Sequence, residues 1–298
     1  MCLLLTACLS ACQKTEYEFK KYESSKKDEL PARDDKLRVL TTIAPLYSLT
    51  KNVTGDAAHV ENLLPSGAGP HEYSLSPEDV MKIAQARVLI KNGVGLETWL
   101  DKLMAEQLAH AAEKPLIVDS SPAVEVIDND PHIWLSPKNA VIQVKNIRDA
   151  LVRADAGNKE VYTKNADKYI KHLEALDKEI SGEVGSWKKR EFVSFHSAFR
   201  YLARDYGLKQ AAVIQEFPEK EPTPKHIADV INTIREKDIK VIFSEPRVSH
   251  KIVEAIARDL RLNVYSLDTL ETGALYPEWY EVRMRANLEV LKMALGQR

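Results

Sequence analysis

The sequence predicts an α/β protein of two lobes, each a mainly parallel sheet flanked by helices, joined by one long connecting helix. Two observations carry this reading. Short β-rich runs alternate with helix-period stretches both before residue 157 and after residue 189. Between these halves, Lys159–Trp187 keeps Tyr162, Ala166, Tyr169, Leu173, Leu176 and Ile180 on a single helical stripe. At 1.5 Å per residue such a helix is about 40 Å long, a rigid connector rather than an ordinary globular helix. The chain has 298 residues, 44% of them hydrophobic, enough for two cores of ordinary size.

The chain opens with an apolar, uncharged run, Met1–Ala11, after which charge begins at Lys14. It reads as the end of a secretory hydrophobic region without the usual basic start. Leu9-Ser10-Ala11-Cys12 resembles a bacterial lipobox, which makes Cys12 the expected lipidated residue. Leu5-Thr6-Ala7-Cys8 fits the same pattern but leaves a shorter apolar run. All three cysteines (Cys2, Cys8, Cys12) lie in this segment, so thiolate ligands, cysteine nucleophiles and disulfides are excluded from the body of the protein. Residues 13–36, dense in Lys, Glu, Asp and Ser, read as a flexible tether.

From Leu37 the elements follow in order. Leu37–Ile43 and His59–Leu64 read as strands, with a helix between them opened by Pro45. The turn-rich run Pro65-Ser66-Gly67-Ala68-Gly69-Pro70 delivers His71, and Ser76-Pro77 then caps a helix. Val88–Lys91 is a strand, Leu96–Ala112 a helix and Leu116–Asp119 a strand. The loop Asp128-Asn129-Asp130-Pro131 delivers His132, and Ser136-Pro137 starts the next helix by the same cap chemistry. Past the long helix, strands are expected at Phe192–Phe195, Ala211–Ile214, Val241–Ser244 and Val264–Leu267. Helices are expected at about 197–206, 223–237, 249–261 and 277–295. No internal stretch approaches the ~18–20 apolar residues of a membrane span. With 42 Lys+Arg against 44 Asp+Glu, nothing points to nucleic acid.

His71, His132 and His196 share one context: each ends a strand or loop just before a helix. Ligands in open α/β sheets bind at strand C-terminal ends, where His196 and Asp268 both fall. Together His71, His132, His196 and Asp268 make a set of three nitrogens and one oxygen suited to zinc, or to manganese or iron where carboxylate accompanies imidazole. The alternative is three separate structural histidines. Glu245, in Phe243-Ser244-Glu245-Pro246, is either a partner that orients an imidazole or a carboxylate bonded to nearby backbone. His59, His110, His172, His226 and His250 have no such context.

Pro70-His71, Asp130-Pro131-His132-Ile133-Trp134, Phe195-His196-Ser197-Ala198-Phe199 with Tyr206-Gly207-Leu208, Phe243-Ser244-Glu245-Pro246, and Leu267-Asp268 followed by Tyr280 and Met284-Arg285-Ala286-Asn287-Leu288 occur here in one order. The set resembles the zinc/manganese solute-binding proteins of ABC transporters from Leu37 to the C-terminus. The resemblance implies a metal between the lobes, with His71 and His132 from the first and His196 and Asp268 from the second. Manganese-preferring members commonly carry Glu where this chain has His196, which favours Zn²⁺ as transported ligand, with Mn²⁺ or Fe²⁺ the alternative. Zinc-binding members often have a long histidine-rich loop before the second ligand; here Ser120–Asp130 is short and contains no histidine.

The expected protein is thus an extracytoplasmic, periplasmic or cell-surface lipoprotein that captures metal and delivers it to a membrane permease, acting as a monomer and not as an enzyme. A zinc hydrolase is disfavoured because the chain lacks His-Glu-x-x-His and offers no Glu beside the ligands as an obvious base. A surface adhesin has no support beyond exposure. The expected partition is signal segment 1–12, tether 13–36, N-terminal metal-binding lobe 37–157, connecting helix 158–188 and C-terminal metal-binding lobe 189–298. Palmitate labelling of cells should disappear in Cys12→Ser; labelling that persists would move the anchor to Cys8 or elsewhere.

Overall fold

Two four-stranded parallel sheets with the same strand order organise the structure. A computed structural model describes residues 35–71, 73–106, 114–216, 221–246 and 251–296. The signal segment, nearly all of the tether, His110 and His250 lie outside the described residues. The first sheet contains β1 (Leu37–Thr41), β2 (Ala58–Asn62), β3 (Val88–Lys91) and β4 (Leu116–Asp119), in the order β2-β1-β3-β4. The second contains β5 (Glu191–His196), β6 (Lys209–Gln215), β7 (Val241–Ser244) and β8 (Asn263–Ser266), in the order β6-β5-β7-β8. In both, the strand order reverses beside the first strand, which opens a crevice at the strand C-termini. In the first sheet Glu97 fills that crevice, accepting hydrogen bonds from Thr42 Oγ1 at 2.7 Å, Asn92 N at 2.7 Å and Gly93 N at 3.1 Å.

Helices cover the sheets. In the first half they are α1 (Ala44–Thr54), α2 (Pro77–Gln85), α3 (Thr98–Glu106) and α4 (Pro137–Ala154). Then come the long α5 (Lys159–Gly185), α6 (Arg200–Tyr206), α7 (Pro224–Glu236), α8 (Lys251–Leu260) and α9 (Trp279–Leu295). Both serine caps form. Ser76 and Asp79 close a reciprocal capping box, and the Ser136 hydroxyl accepts from Asn139 N while donating to Asp205 of α6.

The apolar stripe of α5 is buried, Tyr162, Ala166, Leu173 and Leu176 completely. It lies in a core that runs without interruption from Val39 and Leu89 of the first sheet to Phe192 and Phe243 of the second. The outer face of the second sheet builds a smaller core from Val193, Phe195, Ile214, Ile242 and Ile256. Alternation along β5 and β7 decides this, since Phe192 and Phe243 face one way and Val193 and Ile242 the other.

The long helix is not the only bridge between the sheets. α9 packs against both α5 and α1, and several bonds cross at its start. Tyr280 Oη donates to the Trp134 carbonyl at 2.7 Å, Ser48 Oγ to the Pro277 carbonyl at 2.5 Å, and Tyr169 Oη to Glu281 at 3.0 Å. Among the described residues no helix is long and apolar enough to cross a membrane.

Leu173→Ala removes a fully buried side chain from the shared core and should cost about 2–5 kcal/mol in urea unfolding. Because the core is continuous, one cooperative transition is expected to shift; two separated transitions would mean that the lobes unfold independently.

Candidate metal centre

The three imidazoles predicted from the sequence converge. His71, at the end of the loop after β2, is placed by Trp99, whose Nε1 donates to the Pro70 carbonyl at 2.9 Å. His132 starts a 3-10 turn, Ile133–Leu135, after the loop that follows β4. His196 is the last residue of β5, at the crevice of the second sheet, and is 4% exposed. Ring centroids lie 5.2 Å apart for His71–His132, 5.6 Å for His71–His196 and 4.9 Å for His132–His196.

The carboxylate beside them is that of Glu271, where the sequence had pointed to Asp268. Glu271 Oε1 lies 3.3 Å from His71 Nε2, 3.1 Å from His132 Nε2 and 3.8 Å from His196 Nε2, and the two Nε2 atoms of His132 and His196 are 3.0 Å apart. Ligand atoms of the four residues all fall within 4.8 Å of one another. Asp268 stands three residues earlier with both oxygens engaged. Its Oδ1 accepts from Leu270 N at 2.9 Å, and its Oδ2 takes Arg283 Nε and Nη2 at 2.8 and 2.5 Å. Asn287 clamps its backbone on both sides. The resulting turn puts Leu270 at φ +58° and swings Glu271 inward.

A cavity of about 490 Å³ opens beside this cluster, lined among others by Glu245, Asp268, Glu271, Trp279 and Arg283. Glu245 Oε1 stands 3.8 Å from His196 Nδ1, too far for a hydrogen bond. Of the other histidines, His226 bonds the Val213 carbonyl at 2.9 Å, and neither it nor His59 nor His172 joins the cluster.

A second layer fixes His132. Asp130 Oδ1 accepts from His132 N at 3.0 Å and pairs with Nδ1 at 2.6 Å. Asn92 Nδ2 holds the Pro131 carbonyl at 2.8 Å, and Gln143 Nε2 holds Asn92 Oδ1 at 3.2 Å. With Nδ1–H committed to Asp130, Nε2 is the nitrogen that faces the other donors, and its lone pair becomes available once its proton leaves. The electrostatics separate the two central rings. Burial opposes charge on His132, yet hydrogen bonds to Asp130 and Glu271 raise its pKa to about 9. Burial, reinforced by the neighbouring charge on His132, lowers His196 to about 3. Glu271 is held well below the usual carboxylate range by His132 and His71 in spite of its own burial. Burial first, then the Glu271 charge, raises Glu245 to about 7.

In a tetrahedral zinc site with bonds of about 2.0–2.2 Å the donors stand about 3.3–3.5 Å apart. The three Nε2–Oε1 separations and the His132–His196 Nε2–Nε2 separation, 3.0–3.8 Å, straddle that spacing. Chemically, the arrangement can hold one divalent cation between the lobes.

Two parallel-sheet lobes, a long helix and a donor cluster drawn from both lobes define a two-lobed metal-binding receptor. The family model "Zinc-uptake complex component A periplasmic" (ZnuA) matches residues 39–294, and the chain belongs to that family. It is 33% identical over 299 residues to the high-affinity zinc uptake system protein ZnuA of Bacillus subtilis, covering 91% of this chain and 92% of that protein. It is 30% identical over 291 residues to the manganese ABC transporter substrate-binding lipoprotein PsaA of Streptococcus pneumoniae, covering 92% and 93% respectively. Among solved structures, the Zn(II)-bound ZnuA-like domain of Streptococcus pneumoniae AdcA superposes with a TM-score of 0.75 at 33% identity, covering 88% of this chain and all of that domain.

A neutral imidazole binds metal, so the raised pKa of His132 sets the pH response. In the metal-free protein its imidazolium contributes stability fully present below pH 6.5 and lost as pH rises through about 9. A divalent cation bound at Nε2 would displace that proton, whereas His196 is already neutral at pH 7. Affinity should rise about tenfold per unit between pH 7 and pH 9 and then level off. Calorimetry in buffers of different ionisation enthalpy should report about one proton released per zinc at pH 7; zero release would contradict this charge assignment.

Proposed function

We propose that this chain is the extracytoplasmic substrate-binding lipoprotein of an ABC transporter. It captures Zn²⁺ between its lobes and delivers it to a membrane permease. The carrying observation is the meeting of His71, His132, His196 and Glu271, from loops and a strand end of both lobes, at zinc-like donor spacings. Three imidazole nitrogens and one carboxylate oxygen complete a tetrahedron, which leaves no open position for substrate activation and so favours binding over catalysis. The same donor set favours zinc over manganese, which ranks lower in affinity and prefers oxygen ligands. The named role of the zinc-uptake relative supports the cargo, and the lipoprotein relative supports an anchored location, with Cys12 as the anchor. Lobes at 37–157 and 189–298, linked by 158–188, place two donors on each side.

The test is competition calorimetry on the purified protein. His196→Ala and Glu271→Ala should each weaken zinc binding by more than about a hundredfold, since losing a ligand exceeds the 10–100-fold cost of losing an outer partner. Asp268→Asn should cost less. A large loss in Asp268→Asn with little change in Glu271→Ala would return the fourth ligand to Asp268. Manganese displacing zinc at equal concentration would overturn the cargo assignment.

A further inference from the structure

The loop that delivers His132 is fastened from the opposite side of the cleft. α6 begins at Arg200, just past His196, and it grips Glu125–Asp130 at several points. Tyr201 is completely buried, and its hydroxyl donates to the Asp130 carbonyl at 2.7 Å while accepting Ile127 N–H at 3.2 Å. Its ring packs against Val124 and Ile133, with the Arg204 guanidinium 5.3 Å above it. Arg204 donates to the Glu125 carbonyl at 3.2 Å, and Arg200 to the Asp128 carboxylate at 3.0 Å. Within the gripped loop, Asp128 and Asn129 both sit in the left-handed region, at φ +46° and +57°. Non-glycine residues hold that conformation mainly where surroundings enforce it.

Asp130 is therefore held at both ends. Its carbonyl is tied to Tyr201 in the second lobe, and its carboxylate orients His132 in the first. We infer that Tyr201 is a positioning residue that sets the geometry of His132 from the opposite lobe, so that His132 and His196 are gripped and loosened together. The inference rests on His132 being a metal ligand. Any parting of the lobes that withdraws His196 also draws Tyr201 away from Asp130, and the Asp130–His132 bond slackens in the same motion. One displacement then weakens two ligands, which gives a permease a short route to release.

A double-mutant cycle on the intact protein, with Zn²⁺ alone as ligand, tests this. Tyr201→Phe should weaken binding about tenfold, mainly through faster dissociation into a chelator, as expected for an outer-layer partner of a ligand. Asp130→Asn should weaken it at least as much, and the double variant should be no weaker than Asp130→Asn alone. The visible absorption of the Co²⁺-saturated Tyr201→Phe protein should shift in the direction of Asp130→Asn. A buried tyrosine whose hydroxyl bonds neither the loop nor the donor cluster, Tyr162, donating to Asp155 at 2.6 Å, supplies the control: Tyr162→Phe should lower stability and leave both readouts unmoved. Unchanged affinity and cobalt spectrum in Tyr201→Phe, or multiplying effects in the double variant, would overturn the coupling. If Tyr201→Phe does not fold, Arg200→Gln loosens the exposed end of the same grip and should speed dissociation severalfold; an unchanged rate would overturn it equally. A wild type that binds no zinc would instead bring down the metal-site reading and this inference with it.

Discussion

Three imidazoles and a carboxylate gathered within 4.8 Å, with His132 and His196 buried among them, set the constraint on which the rest of the structure depends. Such groups lose water on burial and direct their lone pairs at one another, so they stay together only if the surrounding scaffold is rigid and the charges alternate. The protein meets both conditions around His132. Asp130 on one side and Glu271 on the other favour a proton on that ring, while His196, buried beside it, stays neutral. Anion, cation and neutral donor are thereby interleaved, and a divalent ion entering there would replace a proton as the central charge.

Rigidity comes from the way the lobes are joined. A receptor with a thin hinge can open widely, but here one core runs through α5 into both sheets, and α9 returns to lie on α1 and α5. Trp134 shows how close this scaffold comes to the donor cluster. Its Nε1 donates to the Thr269 carbonyl at 2.9 Å, its own carbonyl accepts from Tyr280, and its ring centroid is 5.2 Å from that of His132. The turn that carries Glu271 is thus bonded to the residue that supports His132. Small sliding of packed elements, rather than a broad hinge, is the motion such an interface permits.

Much of this was legible in the residues. Ser76-Pro77 and Ser136-Pro137 announce helix starts because a hydroxyl and a preset φ satisfy what a first turn needs, and both caps form. The stripe on α5 and the β-rich runs are periodic signals of burial, and they locate the sheets to within a residue or two. The imidazoles could be found because strand C-termini in open sheets face the crevice. Glu271 was missed for a physical reason. Asp268 sits nearer the strand end and has the better local context, but its oxygens are spent on Leu270 N and on Arg283, while Asn287 holds its backbone, and these last two partners lie fifteen and nineteen residues later. The only local hint was a second carboxylate in Leu270-Glu271-Thr272-Gly273. The second bridge made by α9 was equally invisible, since a helix pattern does not say which lobe it will cover. Tyr201 carries no motif at all; its importance lies in a bond to a carbonyl more than seventy residues away.

The two sheets share a strand order yet use their crevices differently. In the second lobe the crevice is open, and His196 and Glu245 stand at the ends of the strands that form it. In the first, Glu97 already occupies the crevice, bonded to Thr42, Asn92 and Gly93 at the strand ends. The chain has put its own carboxylate where a doubly wound sheet would seat a foreign anion. With its crevice filled, the first lobe contributes donors only through the loops that carry His71 and His132. Two lobes with one strand order thus treat their crevices in opposite ways, one filled by the chain's own side chain and one left open.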